Sequence, residues 1–252
     1  MLVDMFNLVL LETHNQIATL TLNRAERHNS LVPEFLREIL DALDAIKSSD
    51  ARVAILQANG RSFSTGGDVR AFYDHRDDIV AYSNETVGLL NQVIGAMIAL
   101  PIPIVGAVHG IVTGGSLGLV LACDMVLLAP HASFTPYYSV VGFSPDGGWT
   151  AMLPNIIGAK RAASVLMRNE TITAEQAVAW GIASAIVPLE KIRDEARIVA
   201  NDIATKKPGS IARTKKLLWR DVSARLESER REFVEQIVTP EAQHGMAEFL
   251  KL

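Results

Sequence analysis

Apolar positions along the chain fall into two alternating periods, one of two residues and one of about 3.6. Across residues 16–23, Ile17, Thr19 and Thr21 point one way and Ala18, Leu20 and Leu22 the other, which predicts a strand. Residues 7–12 predict its partner, across the polar turn Thr13-His14-Asn15. Ser30 and Pro33 signal a helix start, and Leu36, Ile39, Leu40, Leu43 and Ile46 recur on one helical face. Val53–Ala58 is a short apolar strand running into a polar glycine turn at residues 64–68. A long helix over 79–100 stops at Pro101. The strand Ile104–Val108 follows, then a second glycine-rich stretch at 109–118, a helical segment at 117–123 and a strand at 125–129.

Helix signals resume at Ala151, over 159–167 and over 174–180, the last closed by Gly181. A final strand is expected at 183–187. From Leu189 onward the pattern is helical, with Pro208-Gly209 as a break. Val222, Leu226, Phe233 and Ile237 form an apolar stripe among charges, which suits packing on the body or a subunit interface. The recurring strand–strand–helix rhythm implies a layered or spiral α/β body. Residues 1–188 are expected to form that body, and 189–252 a helical region.

Bulk properties narrow the function. At 252 residues the chain can bury one large core. Its net charge of -4 argues against nucleic-acid binding, so an anionic ligand must be held by local positive charge and backbone amides. Cys123 is the only cysteine, which precludes an intrachain disulfide and fits a reducing, cytoplasmic setting. Residues 1–6 carry Asp4 rather than a basic start, so no leader peptide is expected. The most apolar stretch, 94–121, is broken by Pro101, Pro103, His109 and six glycines, which argues against a membrane span. His14, His28, His75, His131 and His244 show no metal-ligand spacing, so no metal is expected.

The candidate chemistry lies in the two glycine turns. Phe63-Ser64-Thr65-Gly66-Gly67-Asp68 follows one strand, and His109-Gly110-Ile111-Val112-Thr113-Gly114-Gly115-Ser116-Leu117-Gly118 follows another. Each ends where a helix is predicted to begin. Glycine lets backbone approach a ligand closely, and a helix start leaves N–H groups unpaired. Two such starts converging on one point would hold a developing oxyanion. Neither turn has the G-x-G-x-x-G spacing of a dinucleotide loop. Gly114 to Gly118 does match G-x-S-x-G, with Ser116 as nucleophile and His131 or His244 as partner. That elbow needs a strand directly before it, and 109–113 is read here as intervening loop.

With these turns in view, the chain resembles the crotonase superfamily, the enoyl-CoA hydratase/isomerase group, over almost its whole length. Leu22-Asn23-Arg24 with Asn29-Ser30-Leu31 resembles the family's L-N-R-P-x-x-x-N-A-L segment, with Ala25 in place of the proline. Residues 63–68 resemble F-x-x-G-x-D. Residues 103–124 resemble the P-x-I-A-A-V-x-G-x-x-x-G-G-G segment that leads to a C-D dipeptide, here Cys123-Asp124. Gly142 to Gly148, Leu153-Pro154 and Gly158 resemble G-x-x-P-D-x-G, L-P and G, and 174–181 resembles A-x-E-A-x-x-x-G-L-V. Gly245-Met246-Ala247 with Phe249-Leu250 resembles the G-M-x-A-F-L ending.

The resemblance implies a spiral of β-β-α units with a C-terminal helical trimerisation region, a homotrimer or homohexamer, and an acyl-CoA substrate. Coenzyme A is then part of the substrate, and no separate cofactor is implied. Gly67 and Gly115 would donate the oxyanion N–H bonds. The adenine and phosphates of coenzyme A would lie near Arg24, Arg27, Ser64, Gly66 and Asp68, with an unassigned lysine of the C-terminal helices. The hydratases' two glutamates match Gly118 and Tyr138 here, so both carboxylates are missing. Asp146 matches the acid of several double-bond isomerases and the nucleophile position of the aryl-CoA dehalogenases; it could also simply cap a helix. Tyr137 and Tyr138 would line the acyl pocket or fill space, and Trp149 would narrow the pocket or pack. Double-bond isomerisation is the favoured reaction, with hydration, thioester hydrolysis and non-catalytic binding of coenzyme A as alternatives.

Overall fold

A computed structural model describes residues 6–219 and 221–252. The expectation about a leader concerns Met1 to Phe6, and Met1 to Met5 lie outside the described residues. The chain opens with a hairpin, β1 (Val9–His14) and β2 (Ile17–Leu22), in register Val9 with Leu22 and His14 with Ile17. Its loop is only Asn15 and Gln16, both left-handed at φ 50° and 62°, the tight turn whose twist matches that of paired strands. The turn therefore sits later than its sequence suggested. Thr13 and His14 are exposed ends of an edge strand, and such residues read as a turn.

Helix α1 (Pro33–Lys47) starts with a proline, whose missing N–H has no intrahelical acceptor to lose there. Ser30 does not cap it: Val32 stands at the cap position without a side-chain bond, and the Ser30 hydroxyl donates to Asp68 instead. Next come β3 (Val53–Ala58), α2 (Val69–Asp74) and the long α3 (Ile79–Ala99), and then β4 (Ile104–Val108), β5 (Ile111–Thr113) and α4 (Leu117–Leu121). After these come β6 (Met125–Leu128), β7 (Ser133–Thr135), the single turn α5 (Tyr138–Val141), α6 (Leu153–Ile157), α7 (Ala159–Arg168), β8 (Ile172–Thr173), α8 (Ala174–Ala179) and β9 (Ala185–Ile186). Four helices complete the chain: α9 (Ile192–Ala204), α10 (Pro208–Leu218), α11 (Val222–Ile237) and α12 (Pro240–Leu250). Strands β5 and β7 and helix α5 were not legible in the sequence, being only three or four residues long.

The main sheet has the order β1-β2-β3-β4-β6-β9, parallel except for the opening hairpin. A small second sheet has the order β5-β7-β8. Chain leaving the main sheet passes repeatedly through this second layer: β5 after β4, β7 after β6, and bridges from Leu31 after β2 and Ser64 after β3. That repeated excursion is the spiral the rhythm implied. Strands covered on both faces must be apolar throughout, and all five residues of β4 are buried. On one face Leu20, Leu56 and Val108 share a core with α1 and α3. On the other, Ile17, Ile55, Val105 and Leu127 pack against Ile192, Ala196 and Ala200 of α9. Helix α9, beyond residue 188, thus packs directly on the main sheet.

Candidate active site

The two glycine turns are stitched together by backbone. Leu31 N–H donates to the Gly66 carbonyl at 2.7 Å, and Asp68 N–H donates to the Leu31 carbonyl at 3.1 Å. This parallel bridge uses the groups flanking Gly67 and leaves Gly67's own N–H turned away from it. Ser64 N–H donates to the Ile111 carbonyl at 3.2 Å, and Thr113 N–H to the Ser64 carbonyl at 3.1 Å. The first turn is thereby tied to β5, and Gly66 packs so closely that a Cβ there would lie 2.5 Å from the Thr113 carbonyl. Gly115 is second in a 3-10 turn, Gly114–Ser116, so its N–H precedes the first intrahelical bond. Among the described residues neither the Gly67 nor the Gly115 N–H has a hydrogen-bond acceptor. Both glycines line one cavity of about 440 Å³.

Asp146 reaches this cavity from the turn after α5. Gly147 follows it with φ 57° and lies flat against Gly115, where any side chain would strike the Gly115 carbonyl. A Cβ built on Gly115 would come within 2.9 Å of Asp146 Oδ1 and 3.2 Å of Oδ2, so the carboxyl adjoins Gly115 directly. It does not cap a helix. It accepts a 2.5 Å hydrogen bond from the Tyr138 hydroxyl, which also lies 3.0 Å from the Asp146 carbonyl. Burial lifts the Asp146 pKa to about 7 against the opposing Tyr138 hydrogen bond, and the Glu229 charge adds to the rise. Burial, with the charge of Asp146, pushes the Tyr138 phenol well above its ordinary range, so it stays a neutral donor.

The remaining predicted residues divide into those that face the cavity and those that support it. Arg27, half exposed, and Asp68 line it; Arg24 does not. Asp68 Oδ2 takes hydrogen bonds from Arg27 at 3.1 Å, Ser30 at 3.0 Å and Arg24 at 3.4 Å, while Oδ1 caps α2 through Ala71 N–H at 3.3 Å. Burial raises the Asp68 pKa, but these bonds outweigh it and hold the carboxyl below the usual range. Ser64 is corrected from a ligand contact to a structural one: it is fully buried and donates to the Asn29 carbonyl at 2.7 Å. Gly66 likewise faces β5 rather than the cavity. Trp149 is fully buried outside the cavity, its indole N–H on the Gly114 carbonyl at 2.8 Å. Of the C-terminal lysines, Lys215 is held by Asp124 at 2.8 Å in the core.

Ser116 is not a nucleophile. A strand, β5, does precede the G-x-S-x-G match directly, against the reading of 109–113 as loop. The Ser116 hydroxyl is nevertheless fully buried, shared between the carbonyls of Thr113 at 2.6 Å and Ser64 at 3.0 Å, and reaches no histidine. An apolar part of the cavity is formed by Phe72, Leu90, Phe143 and Phe233, with Phe249 and Leu250 of α12. Helices beyond residue 188 thus also line the pocket. Sequence reasoning passed over Glu229 of α11, a buried carboxylate that holds the turn carrying Asp146. A charge inside the apolar stripe of α11, between Leu226 and Phe233, was its only signal.

Comparison with known proteins decides the family. The model for "Enoyl-CoA hydratase/isomerase" matches residues 12–251. The chain belongs to that family, within the crotonase superfamily. Among relatives, it is 32% identical over 219 residues to a trans-2-decenoyl-[acyl-carrier-protein] isomerase of Streptococcus mutans, covering 85% of this chain and 82% of that protein. It is 30% identical to a 1,2-epoxyphenylacetyl-CoA isomerase of Escherichia coli, covering 80% and 78%. The crystal structure of an enoyl-CoA hydratase from Bacillus halodurans superposes with a TM-score of 0.90 at 25% identity, over 96% of this chain and 100% of that one.

The resemblance matches the hydratases' two glutamates to Gly118 and Tyr138. A side chain at Gly118 would meet the Gly147 carbonyl at 2.6 Å and the tip of Ile94. The space for the first carboxylate is therefore occupied by the same turn that brings Asp146 in. The second position is Tyr138, whose hydroxyl is committed to Asp146. No helix among the described residues is long and apolar enough to cross a membrane.

Proposed function

We propose that this member of the enoyl-CoA hydratase/isomerase family moves a double bond in an acyl-CoA thioester, from 3-enoyl to 2-enoyl, with Asp146 as its acid/base group. The observation that carries this reading is the buried Asp146 carboxyl, with a pKa near 7, set directly against Gly115 in the cavity. The thioester oxygen sits between the N–H groups of Gly67 and Gly115. The Asp146 carboxylate takes a proton from C2, and the negative charge passes to that oxygen as the enolate forms. Asp146 returns the proton to C4 while the double bond settles between C2 and C3. Each oxyanion donor contributes roughly 10²–10³ in rate and the acid/base group roughly 10²–10⁴. Hydration would need one group to activate water and another to protonate carbon, and the residues matched to the hydratases' two glutamates, Gly118 and Tyr138, carry no carboxyl.

In this reading the phosphates of coenzyme A lie at the exposed rim, where Arg27 is half exposed, and the acyl chain enters among Phe72, Phe143 and Phe233. The exposed Ile198, Leu217 and Leu218 of α9 and α10 suit an interface of a homotrimer or homohexamer, which sedimentation velocity tests. The reaction is tested by following the absorbance of the conjugated thioester with 3-enoyl-CoA as substrate, beside hydration of 2-enoyl-CoA. Isomerisation is expected, with loss of at least about 10²-fold in Asp146→Asn. Full isomerase activity in that variant, or hydration alone in the parent, would overturn the proposal.

A further inference from the structure

The turn from Asp146 to Met152 has no long helix or strand of its own, yet it must hold a carboxyl against Gly115. Its backbone N–H groups point inward, away from water, and need acceptors. Trp149 and Met152 find theirs in carbonyls of the turn, and Gly148, Thr150 and Ala151 in one side chain from a distant part of the chain. Glu229 Oε2 accepts from Gly148 N–H at 2.8 Å. Its Oε1 accepts from Thr150 N–H at 2.7 Å, Thr150 Oγ1 at 2.7 Å and Ala151 N–H at 2.8 Å. Glu229 is only 4% exposed. Four donors converge on the carboxyl; burial raises its pKa, and these hydrogen bonds oppose the rise by favouring the ionised form.

We propose that Glu229 is a positioning residue: its carboxylate gathers the N–H groups of Gly148, Thr150 and Ala151 and so sets the turn that presents Asp146 to Gly115. The inference rests on the reading of Asp146 as the acid/base group. Three observations support it. Gly147 and Gly148 both have positive φ, at 57° and 88°, so the turn adopts a conformation that its local sequence alone does not enforce. Glu229 bridges about 80 residues of sequence, with separations of 78 to 81, to fix it. Helix α11 also supplies Phe233 to the same cavity, so acyl pocket and acid/base group are set by one element.

Glu229 acts on Asp146 electrostatically as well as sterically. The groups facing Asp146 are the Tyr138 hydroxyl from α5, which lowers its pKa, and the Glu229 charge from α11, which raises it. On the outer side of the turn Arg225 donates to the Thr150 carbonyl at 2.6 Å. Removing the Glu229 charge therefore makes Asp146 more acidic.

Two variants separate reach from charge. Glu229→Gln keeps the length and loses the charge, and its amide N–H₂ cannot accept from Gly148. Glu229→Asp keeps the charge and loses one methylene of reach. The full chain is used throughout, with circular dichroism to confirm folding. Carboxyl carbon NMR, with Asp146→Asn assigning the signal, reads the Asp146 titration without any substrate. In Glu229→Gln the midpoint is expected to move to lower pH. In Glu229→Asp it stays near that of the parent. In both, kcat for 3-enoyl-CoA falls by roughly 10²-fold with KM nearly unchanged, as a displaced acid/base group requires. If Glu229→Gln does not fold, the kcat and KM of Glu229→Asp decide. Variants that lose thermal stability but keep the parent's kcat and Asp146 titration would overturn the inference. An inactive parent with a shifted Asp146 titration would instead sink the isomerase reading and leave the positioning role standing.

Discussion

The Tyr138 hydroxyl donates to Oδ1 of Asp146 at 2.5 Å, at the position that the family resemblance matches to a hydratase's second glutamate. Burial alone would raise the Asp146 pKa further; the Tyr138 hydrogen bond stabilises the ionised form and keeps the group titrating near neutrality, at about 7. A base at that value is half ionised at neutral pH and can both take and return a proton.

Tyr138→Phe therefore has a defined signature. Losing the donor favours protonated Asp146, so its pKa rises. The enzyme needs the carboxylate to take the first proton, so the limb of kcat/KM that climbs with pH moves to higher pH. A hydrogen bond to a charged group is worth ~1.5–3 kcal/mol, which corresponds to a shift of about one to two pH units. Activity at pH 7 drops by about tenfold or more and recovers in alkaline buffer. An unchanged pH profile would contradict the pairing.

Restoring the hydratase's first glutamate should fail. In Gly118→Glu the new Cβ meets the Gly147 carbonyl at 2.6 Å and cannot stay without pushing the Asp146 turn aside. Overpacking of this kind costs ~1–3 kcal/mol or more. The variant is expected to lose isomerase activity, to unfold at lower denaturant concentration and to gain no hydration of 2-enoyl-CoA. Appearance of hydration in a stable variant would show that the turn yields.

Sequence pattern revealed the two layers of the fold unequally. Long periodic elements such as α1 and α3, and the buried strands β3 and β4, announce themselves because many residues repeat one signal. The second layer is built from β5, β7 and single-residue bridges at Leu31 and Ser64, too short for any period to register. The glycine pairs marked the two turns because glycine leaves a mark wherever backbone must come close, and the resemblance then singled out Gly67 and Gly115 within them. Ser64, Gly66 and Trp149 were misplaced for a common reason: neighbours of a site in sequence support it from behind as often as they face it. Glu229 was invisible because nothing local says that a helix 80 residues on will accept from this turn.

Asp68 supports a further test. It joins Arg24, Arg27 and Ser30 to the start of α2, directly beside Gly67. Asp68→Ala removes a helix cap and leaves Arg24, itself only 15% exposed, without its carboxylate. A cost of ~1–3 kcal/mol in urea unfolding is expected at pH 7. Because the Asp68 pKa is lowered on folding, the group's contribution is present above its unfolded value and fades as pH falls through its folded value. The gap between parent and variant should therefore be full at neutral pH and close in acid. A gap that stays constant into acid would assign the loss to packing instead of charge.

Asp146 carries the opposite sign, and this separates a functional carboxyl from a structural one. Its pKa rises on folding from the ordinary carboxylate value of 3.8 to about 7. Between those values the folded protein binds a proton that the unfolded chain releases, so stability falls as pH climbs through that window. Below pH 4 both states are protonated and the site costs nothing electrostatically. Above pH 7 the fold must hold a buried charge beside the charge of Glu229. Asp146→Asn removes that ionisation and keeps a side chain of the same shape. The variant should match the parent in thermal unfolding near pH 3 and exceed it at pH 8, by on the order of 4 kcal/mol, as a rise from 3.8 to about 7 implies. The same substitution abolishes the proposed chemistry, so a gain in stability and a loss of turnover should appear together at alkaline pH. A parent more stable than the variant at pH 8 would mean that the ionised carboxyl stabilises the fold, and Asp146 would then be a structural acid.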